Sequence, residues 1–425
     1  MDRTLTRLIP ALGILTLTVA ACGTSSSSTA TGGGSAAGIS GCSGTVTVAS
    51  DLPVSGSDAA IGGGTQNGVK LAVSQANAAH LLGGCTINYI PKDDASAAKG
   101  KHDPQQGAQN VTALTSNPAV VGIIGPFNSG VAVAELPISN AAGVLQISPS
   151  NTDPGLTIAG SDPDINTASL QPSGKITYFR VISNDVIQAA VMAQVTTKEL
   201  NLKKIYVIDD QETYGKDLAN YYEKDVKAAG ATTTRQSEPG DTKDYRPVLT
   251  TAKGLGVDAV FFGGVASTGS GLIAAQMKDV GLAVPFLSGD GTVDPQYFKD
   301  GGTDGALASS APDTLTLSSA QQFVTDYKTA YGTDPVAYST YGFDAMNIML
   351  NAIKNVIVAN GGQPPADPTA FRTKVIAEVQ HIDYKGTIGE TRFDANGDTL
   401  QHSFTVYKAQ NGTWVAKETI SPAAS

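Results

Sequence analysis

The chain has 425 residues, and its 28 Lys and Arg against 38 Asp and Glu give a formal net charge of −10 at pH 7. An acidic chain without basic clusters is not expected to bind nucleic acid or an anionic membrane surface. The length is more than one ordinary hydrophobic core holds, so the sequence predicts two lobes.

Residues 1–21 have the pattern of an export signal. Arg3 and Arg7 precede an apolar run at 8–19, which is too short to span a membrane as a helix. The small residues Val-Ala-Ala then come directly before Cys22, a pattern similar to the processing site of bacterial lipoproteins. We therefore expect cleavage before Cys22 and lipidation of its thiol, with a plain signal peptide and an incidental cysteine as the alternative.

The next segment, residues 22–41, consists mostly of Gly, Ser, Thr and Ala and has no core-forming pattern. Such a composition is typical of a flexible tether. Together the two segments predict an exported protein that the lipidated Cys22 anchors to the outer face of the cell membrane.

Two cysteines remain after the first, and an even pair in an oxidising compartment is typical of a disulfide. Cys42 and Cys85 precede predicted strands at 45–49 and 86–90, which a helix at 64–79 connects. In a βαβ unit with neighbouring strands, both cysteines lie at the amino-terminal edge, where a bridge with a structural role is plausible. By the chain-entropy argument it would stabilise the fold by about 4 kcal/mol. Two buried free thiols are the alternative.

A first α/β series continues with a helix at 104–117 and buried strands at 120–124 and 144–147. Polar turns at 125–130 (GPFNSG) and 148–152 (SPSNT) follow these strands at the edge where α/β sheets bind ligands. Their hydroxyls and the unpaired N–H groups of helix N-termini suit an anionic group such as a carboxylate. Ordinary turns with capping Ser and Asn are the alternative interpretation.

A second α/β series follows an extended run at 175–182, which we interpret as a crossing between lobes. Its predicted strands and helices occupy the following residues: 204–208, 215–229, 246–253, 259–262, 270–281 and 285–288. Two series of similar pattern favour paired lobes with a cleft over a short-period repeat.

The last part of the chain predicts three helices and then a hairpin. The helices are expected at 318–331, 341–359 and 368–379. The hairpin joins strands at 386–393 and 402–409 through the turn at 394–398, which contains Asn-Gly. A calcium loop at that turn is rejected, since it lacks the Gly and the distal Glu of such loops.

Catalysis requires a positioned nucleophile and base or a metal. The sequence has four His, none of them in the spacing of a metal site or beside a Ser in an elbow motif. We predict that they are surface or turn residues: His80, His102, His381 and His402. The sequence therefore predicts neither an enzyme nor a bound cofactor or metal.

The order of several motifs resembles the solute-binding proteins of branched-chain amino-acid ABC transporters. The resemblance covers nearly the whole mature chain, and these motifs carry it: DLPVSG (51–56), IIGPFNSG (123–130), ISPSNTDPGLT (147–157), QETYGKDLA (211–219), VDAVFFGG (257–264), SGDG (288–291), YGFDAMNIMLNAI (341–353) and IGETRFDANGD (388–398). It implies an α/β fold of two Rossmann-like lobes with parallel central sheets, joined by three hinge crossings, as in type I periplasmic binding proteins.

The resemblance also implies how the mature chain divides between the lobes. Lobe 1 is expected at 42–178 and 312–392. Lobe 2 is expected at 179–311 and 393–425. The ligand would bind in the cleft between them, and hinge motion would close the cleft over it.

A ligand site follows from the resemblance, residue by residue. The hydroxyls of Ser129 and Thr152 would receive the α-carboxylate of an amino acid, and Ser150 lies where a backbone carbonyl meets the ammonium. Asp290 takes the place of an acidic residue that pairs with the ammonium, and Tyr214 matches a cleft aromatic from the second lobe. A solvated turn aspartate and a packing tyrosine are the alternatives for the last two residues.

Two positions depart from the family pattern. Ile61 stands where an aromatic is expected, and Val265 stands where a cleft tyrosine is expected. With fewer rings, the side-chain pocket would be wider or differently shaped than one made for Leu. An amino acid is still the favoured solute, although the family is also similar to binders of amides, urea and aromatic acids.

The implied function is the capture of a small solute outside the membrane and its delivery to the permease subunits of an ABC importer. The expected partners are therefore a small-molecule solute, the permease and, through Cys22, the membrane. A sensor module that reports the solute to a membrane receptor or kinase is the alternative, because it would use the same lobes.

Overall fold

The computed structural model describes residue 39 and residues 41–422. The predicted signal peptide, Cys22 with its lipidation and most of the tether lie outside the described residues. Within the described part of the chain, no helix is long and apolar enough to cross a membrane.

Strands and helices alternate through much of the described chain. The strands are β1 (Thr45–Leu52), β2 (Thr86–Asp93), β3 (Ala95–Ser96), β4 (Lys101–His102), β5 (Val120–Ile124), β6 (Leu145–Ser148), β7 (Tyr178–Arg180), β8 (Lys204–Asp209), β9 (Thr232–Ser237), β10 (Ala259–Gly263), β11 (Phe286–Ser288), β12 (Leu307–Ser310), β13 (Tyr384–Gly386), β14 (Gly389–Thr391), β15 (Phe404–Gln410) and β16 (Thr413–Ile420). The α-helices are α1 (Ala59–Ala78), α2 (Pro104–Thr115), α3 (Ser129–Ala141), α4 (Thr167–Leu170), α5 (Asp185–Gln194), α6 (Thr213–Ala228), α7 (Arg246–Leu255), α8 (Ser270–Asp279), α9 (Pro295–Lys299), α10 (Gln321–Tyr331), α11 (Ser339–Ala359) and α12 (Pro368–Gln380).

The first sheet is parallel throughout and has the strand order β2-β1-β5-β6-β7. Helices α1 and α11 pack on one face, and α2 and α3 pack on the other. Because both faces are covered, every residue of β5 is buried. A strand that is buried on both faces has a continuous apolar sequence, which is why the run at 120–124 could be predicted.

The second sheet has the strand order β16-β15-β12-β11-β10-β8-β9. Its central strands are parallel, while β15 pairs antiparallel with both β12 and β16. Helices α5 and α6 cover one face, where the rings of Tyr222 and Phe261 stack with their centroids 3.6 Å apart. Helices α7 and α8 cover the other face. Each sheet is therefore the centre of its own α/β sandwich.

The chain passes between the two sheets three times. The first passage lies between Arg180, the end of β7, and Asp185, where α5 begins. The second follows Ser310 at the end of β12, after which α11 and α12 pack on the first sheet and α10 packs on α1. The third precedes Phe404, where β15 begins. We call the space between the two sheets and their helices the cleft.

The return of the chain to the first sheet depends on a close contact between two long helices. A Cβ atom at Gly68 of α1 would lie 2.0 Å from the carbonyl oxygen of Ser339, the first residue of α11. A glycine at this position lets the two helix backbones approach one another, and any side chain would push them apart.

Cys42 and Cys85 are joined by a disulfide, as predicted from their positions in the sequence. Strands β1 and β2 are parallel neighbours, with Thr45 opposite Thr86, so both cysteines lie at the amino-terminal edge of the first sheet. This edge is opposite the polar turns, and the bond therefore has a structural role.

The predicted hairpin between 386–393 and 402–409 forms only at its tip, where Phe393 and Thr399 make an isolated antiparallel bridge, and the pairing of its two strands is wrong. Strand β14 pairs with β13, and β15 pairs with β12 and β16. The turn between β15 and β16 is a second Asn-Gly pair, Asn411 and Gly412, with φ values of 54° and 73°. A local turn signal marks a reversal of the chain, but the sheet edge that is available decides which strands pair.

Several elements were not predicted, and one was interpreted differently. Strand β9 is mostly exposed and rich in Thr, so it lacks an apolar run. Helix α5 and strands β12 and β16 were also missed. The run at 175–182 contains β7, which pairs with β6, so this part of the supposed crossing belongs to the first sheet.

Candidate functional site

The two polar turns predicted at 125–130 and 148–152 lie side by side, because β5 and β6 are neighbouring parallel strands. The hydroxyl of Ser150 donates a hydrogen bond to the carbonyl oxygen of Phe127 over 2.8 Å, and the amide of Asn151 donates to the same oxygen over 2.7 Å. The Ser150 hydroxyl therefore holds one turn against the other.

Ser129 and Thr152 lie at the same edge of the sheet and are both buried. Ser129 is the first residue of α3, where the backbone N–H groups have no partner within the helix. The carbonyl oxygen of Thr152 accepts a hydrogen bond from the backbone N–H of Asp185 over 2.8 Å. Since Asp185 begins α5, Thr152 is linked directly to the part of the chain that packs on the second sheet.

Asp290 follows β11 on the opposite side of the cleft, and its carboxylate accepts three hydrogen bonds. The hydroxyl of Tyr214 donates to Oδ1 over 2.7 Å, and the amide of Gln188 donates to the same atom over 2.9 Å. The hydroxyl of Tyr338 donates to Oδ2 over 2.5 Å. Asp290 and Tyr214 are both buried, so Asp290 is not a solvated turn aspartate.

The environment of Asp290 has two opposing effects on the pKa of its carboxyl group. Burial raises the pKa of Asp290, while the hydrogen bonds from Tyr338, Tyr214 and Gln188 favour the ionised form and limit that rise. Two of these donors, Tyr214 and Gln188, belong to helices on the second sheet. Tyr338 directly precedes α11, which packs with the first sheet, so this carboxylate contacts both sides of the cleft.

Ile61, Val265 and Asp290 line one small cavity of about 20 Å³ together with Phe127 and Tyr338. This volume holds about one water molecule. The residues expected from the resemblance at 61, 265 and 290 are thus brought together. Ser129, Ser150 and Thr152 do not line the cavity, although Asn128, the residue before Ser129, does so.

A larger cavity of about 320 Å³ begins beside the small one, and Ile61 and Val293 line both. Its other walls are mainly apolar and include Leu315, Val336 and Trp414. Pockets for small molecules usually have at least this volume and an apolar lining with a few polar groups.

His102 forms a bridge across the cleft, which corrects the prediction that it is a surface or turn residue. Its Nδ1 lies 2.8 Å from Oδ2 of Asp58, and its Nε2 lies 2.8 Å from Oε2 of Glu212. Nζ of Lys101 lies 2.5 Å from the other oxygen of Glu212. Asp58 and His102 belong to the first-sheet side, and Glu212 directly precedes α6 on the second.

Within the bridge, the ring of His102 is positively charged at neutral pH. Burial by itself would lower the pKa of His102, but the hydrogen bonds and charges of Asp58 and Glu212 outweigh it and raise the pKa to about 10. Burial opposes ionisation of Glu212 too, yet His102 and Lys101 lower its pKa to about 2. Asp58 also lines the small cavity, so the bridge borders the candidate site.

Sequence reasoning missed Gln188, Tyr338 and the His102 bridge. Gln188 is 102 residues and Tyr338 is 48 residues from Asp290 along the chain. No local spacing connects residues so far apart. The nearest family motif, at 341–353, begins three residues after Tyr338 and does not include it.

A family model described as periplasmic binding protein matches residues 45–413. The chain belongs to the periplasmic binding protein family. A Leu/Ile/Val-binding protein homolog of Brucella suis is 28% identical to this binding protein over 370 residues, which are 86% of this chain and 91% of the relative. The Leu/Ile/Val-binding protein BraC3 of Rhizobium johnstonii is 28% identical over 378 residues, which are 88% of this chain and 94% of the relative.

Solved structures agree with the family assignment. The leucine-binding protein LivK of Thermotoga maritima superposes with a TM-score of 0.75 at 25% identity, covering 89% of this chain and 99% of its own. A solute-binding protein of R. palustris in complex with 4-hydroxybenzoate superposes with a TM-score of 0.73 at 20% identity, covering 89% of this chain and 98% of its own. The second likeness concerns the fold alone.

These findings confirm the α/β class with parallel central sheets and the resemblance to ABC-transporter solute-binding proteins. The family is extracytoplasmic and binds solutes rather than catalysing reactions. The curated relatives are named for binding Leu, Ile and Val, so the alternative of a sensor module is not favoured.

Proposed function

We propose that this binding protein captures an amino acid, or a small solute of similar zwitterionic form, in the cleft and delivers it to the permease. The observation that carries the proposal is the position of Asp290, a buried acidic group that faces the polar turns across the cleft. A negative group on one side and unpaired N–H donors on the other match the two charges of an amino acid.

The α-carboxylate would bind at the start of α3. Backbone N–H groups at a helix N-terminus and the helix dipole favour an anion there. The hydroxyls of Ser129 and Thr152 would add two donors. Ser150 would act through its backbone carbonyl toward the ammonium, since its hydroxyl already donates to Phe127.

The ammonium group would pair with Asp290. An ionised carboxylate has about four acceptor positions, and three of them are filled by Tyr214, Gln188 and Tyr338. One position is left for an N–H of the solute. The three donors hold the carboxylate in one orientation, and a charge-assisted hydrogen bond from an ammonium would favour its ionised form.

The side chain of the solute would extend past Ile61 and Val265. Relatives of this chain are named for binding Leu, Ile and Val. We place the apolar part of the solute toward Ile61 and Val293, from which the larger cavity opens. Widening of the cleft by hinge motion at the three passages would admit the solute, with lobes at 42–178 and 312–392 and at 179–311 and 393–425 as the moving parts.

Cleavage before Cys22 and lipidation of its thiol would tether the protein to the outer face of the membrane beside the permease. The site would bind and release its solute unchanged, without a catalytic residue.

The test is a thermal-shift screen of the exported, detergent-extracted protein with L-amino acids, amides, ureas and small aromatic carboxylates. Binding to the native state alone raises the melting temperature by mass action. We expect an L-amino acid to give the largest rise and Asp290→Asn to abolish it. Removing one partner of a buried charge pair costs about 2–5 kcal/mol, which weakens binding by about 30-fold or more.

The matched control is Asp344→Asn, because Asp344 is also a buried carboxylate and accepts a hydrogen bond from the backbone N–H of Ile388 outside the cavity. This variant should keep the full response to the solute. If only uncharged amides or aromatic carboxylates stabilise the protein, Asp290 does not pair with an ammonium, and the proposal fails.

A further inference from the structure

Three buried carboxylates lie close together between the first sheet and its helices, away from the cavities of the cleft. Asp51 is in β1, Asp94 directly follows β2, and Glu135 is in α3. One oxygen from each of the three side chains lies within 4.8 Å of the other two. All three residues have a relative exposure of 0%. We call this group the carboxylate triad.

Four oxygens of the triad have no hydrogen-bond donor among the described residues: Oδ2 of Asp51, Oδ1 and Oδ2 of Asp94, and Oε1 of Glu135. Asp94 is thus a fully buried carboxylate without any side-chain hydrogen bond. The described Lys, Arg and His side chains also make no salt bridge with the triad, which is consistent with His102 being held by Asp58 and Glu212.

Two amides orient the carboxylates toward one another. The amide of Asn110 donates to Oδ1 of Asp51 over 2.9 Å, and the amide of Gln146 donates to Oε2 of Glu135 over 2.8 Å. In each case the other oxygen is the one left without a donor. Such outer-shell hydrogen bonds are typical of carboxylates that bind a metal ion, because they fix the ligand atoms in place.

Three adjacent carboxylates cannot all be ionised in a buried position without compensation. Either protons or a cation must therefore balance the triad. A set of oxygen ligands without His or Cys favours hard cations such as Ca²⁺, Mg²⁺ or Mn²⁺ over zinc or copper.

We propose that Asp51, Asp94 and Glu135 bind a divalent cation, with calcium as the preferred ion. Calcium binds carboxylate oxygens at about 2.3–2.6 Å, so two of its ligands lie at most about 5 Å apart, which agrees with the separations in the triad. Calcium accepts monodentate and bidentate carboxylates in flexible geometry, whereas magnesium usually keeps several waters. Because the triad is fully buried, it suits calcium, which can be bound by protein oxygens without several retained waters.

The bound cation would connect β1, the residue after β2 and α3. Because α3 begins at Ser129, the ion would fix the helix that carries the proposed carboxylate site without touching the solute. The inference does not depend on the identity of the solute, since its readouts are metal content and stability rather than solute binding.

The test begins with the exported, detergent-extracted protein prepared without chelator. Elemental analysis should find about one calcium per chain, and removal by EDTA should lower the melting temperature by several degrees, since an ion that binds only the native state stabilises it by mass action. Added CaCl₂ should restore the original value, and MgCl₂ should restore it less.

Glu135→Gln and Asp94→Asn keep the shape of the side chain and remove one charge. Each variant should bind calcium at least tenfold more weakly. We expect calcium to raise the melting temperature of Glu135→Gln by less than it raises that of the wild type. Asp344→Asn, a buried carboxylate outside the triad, should keep the calcium response of the wild type.

The wild-type protein alone can overturn the inference, even if a variant does not fold. Absence of bound metal together with a melting temperature that calcium, magnesium and manganese all leave unchanged would show that protons balance the triad. A response to magnesium or manganese but not to calcium would overturn the preference for calcium.

Discussion

Asp290 and the carboxylate triad are both buried acidic groups of this binding protein, but their surroundings differ. Asp290 accepts hydrogen bonds from Tyr214, Gln188 and Tyr338. In the triad, four carboxylate oxygens have no donor among the described residues. A buried charge is tolerated where hydrogen bonds or an opposite charge compensate it. The chain supplies partners for Asp290, whereas the triad has no donor for these oxygens, and we propose that a cation from solution balances it.

The His102 bridge is an intermediate case, in which the chain supplies the cation itself. His102 lies between the carboxylates of Asp58 and Glu212, and Lys101 adds a second positive charge at Glu212. A buried carboxylate therefore indicates an external ligand only when the chain provides neither hydrogen-bond donors nor a cationic side chain for it.

His102→Gln should have the largest effect on stability, because it leaves Asp58 and Glu212 facing each other without the cation between them. Breaking a buried ion pair by removing one partner costs about 3–5 kcal/mol. Urea unfolding at pH 7 would measure the loss. His381→Gln, at an exposed histidine, is the control and should change the free energy of unfolding by less than about 0.5 kcal/mol.

The same bridge predicts how stability depends on pH. The pKa of His102 is raised to about 10 in the folded protein, against 6.5 in the unfolded chain. The bridge therefore contributes fully below about pH 6.5, and its contribution is lost as the pH rises through 10. Lys101 pairs with Glu212 beside the ring, and the charge of His102 also acts on Asp94 of the triad. An alkaline loss of stability that is equally large in His102→Gln would contradict this assignment.

Tyr338→Phe should make Asp290 more like the triad, because Oδ2 would lose its donor. Leaving a buried acceptor unsatisfied costs about 1–3 kcal/mol. The free energy of unfolding should fall by this amount, and affinity for the solute should fall as well. Tyr341→Phe is the control, since the hydroxyl of Tyr341 makes only a long bond of 3.4 Å to the carbonyl oxygen of Pro312. Equal losses in both variants would mean that the ring positions, and not the bond to Asp290, are responsible.

Gln146→Met should have the smallest effect, and it tests whether the amides orient the triad for an ion. Loss of an outer-shell hydrogen bond to Glu135 should weaken calcium binding about tenfold, which is about 1.4 kcal/mol. Calorimetric titration with calcium would measure it. Gln276→Met is the control, because Gln276 is a buried amide that bonds Lys243 and Tyr245 instead. An unchanged calcium affinity in Gln146→Met would show that the amide plays only a packing role.

Much of the fold could be predicted because it depends on local patterns. The apolar runs at 120–124 and 259–262 are strands β5 and β10, buried on both faces of their sheets. Helix-forming segments between such runs imply parallel strands, and parallel neighbours place the two cysteines at one edge. Exposed elements such as β9 were missed, because a solvated edge strand needs no apolar residues.

The candidate site could be predicted only in part. The family resemblance singled out Tyr214, Asp290, Ile61 and Val265. The structure places the last three around the small cavity, and the hydroxyl of Tyr214 donates a hydrogen bond to Asp290. Their roles toward a solute are still predictions. Tyr338 could not be found, because it reaches Asp290 across the cleft from a distant part of the chain.

The sequence by itself determined the alternation of strands and helices, the two lobes and the family, because these depend on side-chain periodicity and on motif order. Only the tertiary structure decided which strands form hairpins, that His102 bridges Asp58 and Glu212, and that the carboxylates of the triad meet. Such contacts join side chains far apart along the chain. Their free energy comes from burial and charge in the folded state, which no local pattern records.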